Sequence, residues 1–249
     1  MSDRFFIDKN ISGIHGDTAT LAGDEAHHFI RVMRGSVGAS VILFDGTGVC
    51  YRGTVTALTK NEVQVAITKT LPDTIESPIR LLVASALPKG DRQKFLIEKI
   101  AELGVAGFIP VSLERSVARA NDAVLNRFRR YVIESAKQCD RNVLMEISEE
   151  LPLSELNELL DSRGCEKYLL HPVVLGEVGQ TTARNVLKNT PKDVPQHIAV
   201  LVGPEGSFTD KEVETALQFG FKPLDLGARI LRTETACIAA AAVLLCTDK

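Results

Sequence analysis

The spacing of apolar residues changes character about a third of the way along the chain. In the first part they come in short runs and in two-residue alternation, the rhythm of strands. Val41–Phe44 is an apolar run closed by the turn pair Asp45–Gly46. Cys50–Leu58 and Glu62–Thr68 alternate on either side of a turn at Lys60–Asn61, with Arg4 placed ahead of the first of these strands. A single helix is expected here, capped by Asp24, running over Glu25–Arg34 and stopped by Gly35. The stretch Leu71–Pro78 holds two prolines among small polar residues and reads as a linker.

Beyond it, apolar runs alternate with helix-period segments. Strands are expected over Ile79–Leu87, Ala106–Val111, Tyr168–His171, Ile198–Val202 and Leu224–Leu226. A helix capped by Asp91 runs to Leu103, with Leu96, Ile100 and Leu103 at core spacing and Gly104 as its stop. Asp122–Gln138 is a basic helix with Leu125, Phe128 and Val132 turned inward. Thr209-Asp-Lys-Glu212 is a capping box that opens a helix ended by Gly220, and Thr233–Cys246 is an alanine-rich apolar helix. Strands alternating with helices imply an α/β fold with a parallel sheet covered on both faces.

Composition narrows this picture without changing it. Of 249 residues, 45% are hydrophobic and 24% charged, which excludes a mainly disordered chain. The net charge of −3 gives no global attraction to nucleic acid, so any such contact must come from local basic clusters. The five cysteines are scattered, with no C-x-x-C pair, which argues against a disulfide framework or a structural zinc site, and no metal is expected. The opening residues lack a basic segment followed by an apolar core. The longest apolar run, Ala236–Cys246, is well short of the roughly 20 residues that span a bilayer. A cytoplasmic location is therefore expected.

Two late segments carry candidate chemistry. Val200–Ser207 runs from a strand straight into Gly203-Pro-Glu-Gly206, and ligands in open α/β sheets bind beyond the carboxyl ends of strands. A plain strand-to-helix turn fits this segment equally well. Leu226–Ala236 joins a strand end to a helix through a loop with Arg229 and Arg232, and the apolar Ile230 and Leu231 between them favour a pocket wall over a solvated loop. The free N–H groups at Thr233 would suit a carboxylate or a phosphate. No G-x-x-x-x-G-K-[ST] sequence occurs, which argues against a nucleotide-phosphate loop.

Several motifs occur in this order: Lys89-Gly-Asp-Arg92, Glu98–Gly104, Ile109-Pro110, Glu114-Arg-Ser116, Gln138-Cys139 with Arg141, His171-Pro172, Gly203–Gly206 and Leu226–Ala236. Together they resemble the SPOUT methyltransferases, and within them the RsmE family. Two positions depart from the family's pattern: Ser207 and Asp140 stand where it usually has glycine. The resemblance implies a PUA-like RNA-binding β-barrel over residues 1–72 and a SPOUT domain over 73–249, closed by a C-terminal trefoil knot. It also implies S-adenosyl-L-methionine as cofactor and methylation of N3 of a uridine in 16S rRNA of the 30S subunit. Around the cofactor it would place His171, Leu201, Val202, Gly203, Pro204, Glu205, Gly206, Leu226, Gly227, Ile230, Leu231, Arg232 and Thr233. Arg232 is expected to stabilise charge on the uracil. Glu205 is either a base or a carboxylate bonding its own loop. RNA contacts are expected from Arg4, His27, Arg31, Arg34, Arg92, Arg115, Gln138 and Arg141. The terminal helix, through Ala239–Ala242, would make a homodimer or serve ordinary core packing. A related enzyme acting at another RNA site, or a non-catalytic ribosome-assembly factor, are the alternatives.

Overall fold

In the computed structural model, residues 3–8, 13–71, 75–171, 181–182, 186 and 196–246 are described. Pro172 and the expected domain boundary between residues 72 and 73 lie outside them. The chain divides into two compact units, Met1–Glu76 with Ala136–Leu144, and Ser77–Ser135 with Met145–Lys249.

The first unit is a six-stranded mixed sheet in the order β1-β4-β5-β6-β3-β2. Its strands are β1 (Asp3–Phe6), β2 (Gly13–His15), β3 (Thr18–Leu21), β4 (Ser40–Phe44), β5 (Cys50–Leu58) and β6 (Val63–Leu71). β1 runs parallel to β4, and the other pairs are antiparallel. Arg4 sits inside β1 rather than ahead of it. Alternate residues Phe5 and Ile7, Val41 and Leu43, and Val63 and Val65 enter one core. The expected ten-residue helix is instead α1 (Gly23–His27) followed by a π-helical turn, His28–Val32. Ala22, not Asp24, is the residue before its first turn. The wider turn has a packing reason. It keeps Phe29 edge-on to Phe5 at 5.6 Å, and Gly35 lies so close over the Phe29 ring that an added Cβ would stand 2.1 Å from it. A second cluster, Ile42, Phe44 and Cys50 with Phe6, Leu71 and Leu144, closes over Ala136, so residues 136–144 complete this unit.

The second unit is a parallel sheet in the order β10-β8-β7-β13-β11-β14-β12, with β9 also on β8. The strands are β7 (Ile79–Ser85), β8 (Gly107–Ser112), β9 (Glu146–Ile147), β10 (Leu151–Pro152), β11 (Glu166–Leu170), β12 (Thr181–Thr182), β13 (Gln196–Val202) and β14 (Lys222–Asp225). The helices are α2 (Arg92–Glu102), α3 (Asp122–Gln138), α4 (Leu153–Ser162), α5 (Asp210–Gln218) and α6 (Thr233–Leu245). One face of the central strands, Leu82, Ala84, Leu169, Ala199 and Leu201, packs with Leu156 and Leu160 of α4 and Ala216 of α5. On the other face α6 packs on β7, β13 and α2. Cys237 of α6 meets Ser85 there, and full burial pushes its thiol pKa up to about 12. The Thr209–Glu212 capping box forms in full, and Gly104, at φ 93°, follows the end of α2. Leu96 and Ile100 are buried, whereas Leu103 falls past the last turn.

Candidate active site

Adjacent parallel strands β13, β11 and β14 end side by side at Val202, Leu170 and Asp225, and the site lies beyond these carboxyl ends. After Val202 the chain turns at once. Gly203 passes under the Phe208 ring, where an added Cβ would stand 2.7 Å from Cε2, so only glycine lets the backbone through. The Ser207 N–H donates to the Pro204 carbonyl at 2.9 Å, and Ser207 has φ +61°. That left-handed backbone is the physical reason glycine suits position 207, and the same holds at Asp140, φ +63°. Arg115 donates from Nη1 to the Gly206 carbonyl at 3.0 Å and steadies the turn from outside.

The second loop leaves β14 with Gly227 at φ +107°, its N–H donating to Asp225 Oδ1 at 2.8 Å. Ile230 is 86% exposed and Arg232 is exposed, while Thr233, the first residue of α6, is 4% exposed. Thr233 Oγ1 donates to the Gly203 carbonyl at 2.9 Å. This bond ties the two segments together across 30 residues of sequence.

Between them opens a cavity of about 710 Å3, lined by Arg92, Leu170, His171, the 202–205 turn, Ser207, Phe208, Ile230–Thr233 and Ala236. A smaller cavity of about 140 Å3 lies against Leu170, His171, Leu224–Leu231 and Ala236. His171 borders both. Its ring stacks edge-on to Phe208 at 5.7 Å, and its Nε2 is 3.3 Å from Ser207 Oγ. Burial holds its pKa below the ordinary 6.5, with Asp210 opposing, so the imidazole is neutral at pH 7. Arg92 faces two carboxylates, with Nη2 at 2.6 Å from Glu205 Oε1 and Nη1 at 3.7 Å from Glu234 Oε1. Glu205 thus spends its carboxylate on an arginine rather than on its own loop.

A cavity of this size, with polar and apolar groups sharing its wall equally, suits a ligand of cofactor size that is itself part polar and part apolar. The helix α6 has no side-chain cap bond at Arg232. The profile of an RNA methyltransferase domain matches residues 75–245, and that of an RNA methyltransferase PUA domain matches residues 21–68. Ribosomal RNA small subunit methyltransferase E of Bacillus subtilis is 30% identical over 239 residues, 94% of this chain and 92% of that one. The chain belongs to the RsmE family. A Neisseria gonorrhoeae member of the RsmE family, bound to S-adenosyl methionine, superposes with a TM-score of 0.81 at 30% identity, covering 98% of this chain and 97% of that one. A methyltransferase from Legionella pneumophila with bound cofactor SAM gives 0.82 at 29% identity, covering 98% and 97%. The fold is therefore that of the RsmE family, a PUA domain with an α/β SPOUT methyltransferase domain.

The remaining residues expected at an RNA surface fall into two groups. His27, Arg31, Arg34 and Gln138 are exposed. Arg141 is not at the surface. It is 4% exposed and makes a two-pronged bond to Glu76, 2.9 Å on each arm. Arg4 turns the same way, donating to the Arg141 carbonyl at 2.9 Å and to Asn142 Oδ1 at 2.8 Å. Both arginines bind residues 136–144 into the first unit, since charges taken from water need partners. Phe208, Leu170 and Glu234 line or support the site and were not singled out from sequence. Phe208 stands five residues after Gly203, an apolar residue in a polar turn, which was the available signal.

Proposed function

We propose that this protein is an S-adenosylmethionine-dependent rRNA methyltransferase that methylates N3 of a uridine in 16S rRNA of the 30S subunit, in the cytoplasm. The observation that carries the reading is the Thr233–Gly203 bond, which brings the two expected cofactor segments to one cavity at the strand ends. Relatives carry the name ribosomal RNA small subunit methyltransferase E, and a neighbour of the same name holds S-adenosyl methionine.

The residues present fit such a cofactor. Main-chain groups of 201–206 and 226–233 would hold it, Val202 and Leu231 would meet its apolar parts, and the first turn of α6 would receive its carboxylate. In this reading the two segments are the threaded strands of a trefoil knot. When bound, the cofactor supplies an electrophilic methyl group on a sulfonium. The protein's task is to favour uracil without its N3 proton, because the protonated nitrogen is a poor nucleophile. Arg232, on the loop beside the cofactor segments, would meet one carbonyl oxygen flanking N3 and stabilise its negative charge. Glu205, paired with Arg92, is given no role as a base. His27, Arg31, Arg34 and Gln138 would contact RNA phosphates. Ile238, Ala239, Ala242 and Val243 form a half-buried apolar stripe along α6, at helical spacing, and would seat a second copy of the chain.

The test is methylation of unmodified 30S subunits with labelled cofactor. N3 methylation removes a Watson–Crick donor, so reverse transcription stops at the modified position. A label elsewhere than on a uridine N3, or no heat on titrating the protein with S-adenosylmethionine, would refute the reading. Light scattering at micromolar concentration tests the dimer, and Ala239→Glu should give a monomer.

A further inference from the structure

One guanidinium in the larger cavity meets two carboxylates whose surroundings differ. The Arg92–Glu205 pair is one-third exposed on both sides, so water screens it and an incoming polar group exchanges with it easily. Glu234 is 5% exposed, and among the described residues its Oε2 has no hydrogen-bond partner. A buried carboxylate kept with so few partners burdens the fold, although the amino-terminal field of α6 favours its charge. Arg92 is itself the first residue of α2, where a cation is electrostatically disfavoured. Helix electrostatics therefore disfavour an arginine here, and what holds it is the pair of carboxylates at the edge of the cavity.

We propose that Arg92 is the second cation of the reaction, meeting the other uracil oxygen that flanks N3, and that buried Glu234 fixes its guanidinium from behind. Glu205 is its counter-ion until the base arrives. The assignment rests on the uracil-N3 reading above. In the step it serves, the N3 proton passes to solvent and leaves charge shared between N3, O2 and O4. The N3 electron pair then forms the new N–C bond as the C–S bond breaks, and that bond's electrons go to sulfur. With Arg92 and Arg232 on the two oxygens, the deprotonated base is favoured from both sides of the reacting atom. Arg92 touches substrate in this scheme, and Glu234 is a positioning residue.

The experiment compares single-turnover methylation of unmodified 30S subunits across pH with S-adenosylmethionine affinity by calorimetry. Arg92→Ala should bind the cofactor as the parent does and lose about 100- to 1,000-fold in transfer. Its rate should keep rising at pH values where the parent has levelled off, because the base now gives up its proton less readily. Glu234→Gln should shift the profile the same way with a smaller loss, and Glu205→Gln should lower the KM for 30S subunits. If Arg92→Ala fails to fold with Glu234 left alone, the double variant Arg92→Met, Glu234→Gln removes both charges and should show the same alkaline profile. Unchanged transfer and profile with intact cofactor binding would overturn the role of Arg92 while leaving the site reading in place. A Glu234→Gln variant that melts lower but keeps the parent profile would overturn the positioning role. No cofactor binding by the parent would remove both.

Discussion

Replacing Thr233 by valine keeps the shape of the side chain and deletes one hydroxyl. In the folded chain that hydroxyl donates to the Gly203 carbonyl at 2.9 Å from a site 4% exposed. A hydrogen bond of this kind contributes about 1 kcal/mol net, and leaving a part-buried carbonyl short of its donor adds up to about 1 kcal/mol. The expected loss is therefore up to about 2 kcal/mol. It can appear in two places. If the loss is global, the melting temperature falls by up to about 8 °C, at about 2–4 °C per kcal/mol for a chain of this size. If the two loops part locally, the cofactor must first restore their alignment, and its Kd rises by up to about 30-fold, since about 1.4 kcal/mol is tenfold. Differential scanning calorimetry and titration calorimetry together separate these cases. Thr233→Ser restores the donor and should recover most of either loss. A Thr233→Val protein with parental melting and parental Kd would refute the claim that this bond holds the two segments together.

Asp140→Gly relieves a left-handed backbone at φ +63° that costs an L-residue about 1–2 kcal/mol and gives up an exposed ion pair with Arg4 at 3.4 Å, worth under about 1 kcal/mol, so the melting temperature should rise; a thermal scan that shows no rise would count against that strain. His171 has a folded pKa below its unfolded value, so the unfolded chain takes up the proton first and stability falls as pH drops through about 6.5 towards the folded value. His171→Gln should flatten the melting temperature between about pH 5 and 7, and an unchanged slope would exclude His171 as its source. Glu76→Gln removes the carboxylate that grips the buried Arg141 guanidinium with two bonds and should cost about 3 kcal/mol in chemical denaturation, whereas a loss under about 0.5 kcal/mol would mean the pair is screened.

The parallel sheet was legible in the chain because its central strands carry apolar runs, Ile79–Leu87 and Ile198–Val202. The capping box at Thr209 and the inward row Leu125, Phe128 and Val132 were legible for the same reason: each is a local pattern. Helix α4 offered a signal that went unread, with Leu156 and Leu160 four residues apart behind Pro152. The π-helical turn at His28 was not legible, since it answers to Phe5 and Gly35 rather than to its own residues. At the site, both loops announced themselves by glycines at strand ends. What spacing could not show was pairing. Arg92, Arg115 and Arg141 look alike as basic residues in sequence. One faces a buried carboxylate, one secures a turn, and one is sealed against a glutamate 65 positions away.

The contribution of residues 136–144 to the first unit has a genetic consequence. A gene fragment ending at Glu76 would encode a domain missing one of its walls, with the sites of Ala136 and Leu144 empty against Phe44 and Leu71 and Glu76 left without Arg141. Such a module cannot be moved between proteins by a single crossover. Its transfer or replacement requires two distant stretches of coding sequence to change hands together, so a chimera joined once at the proline-rich stretch should express poorly unless the second stretch comes from the same parent.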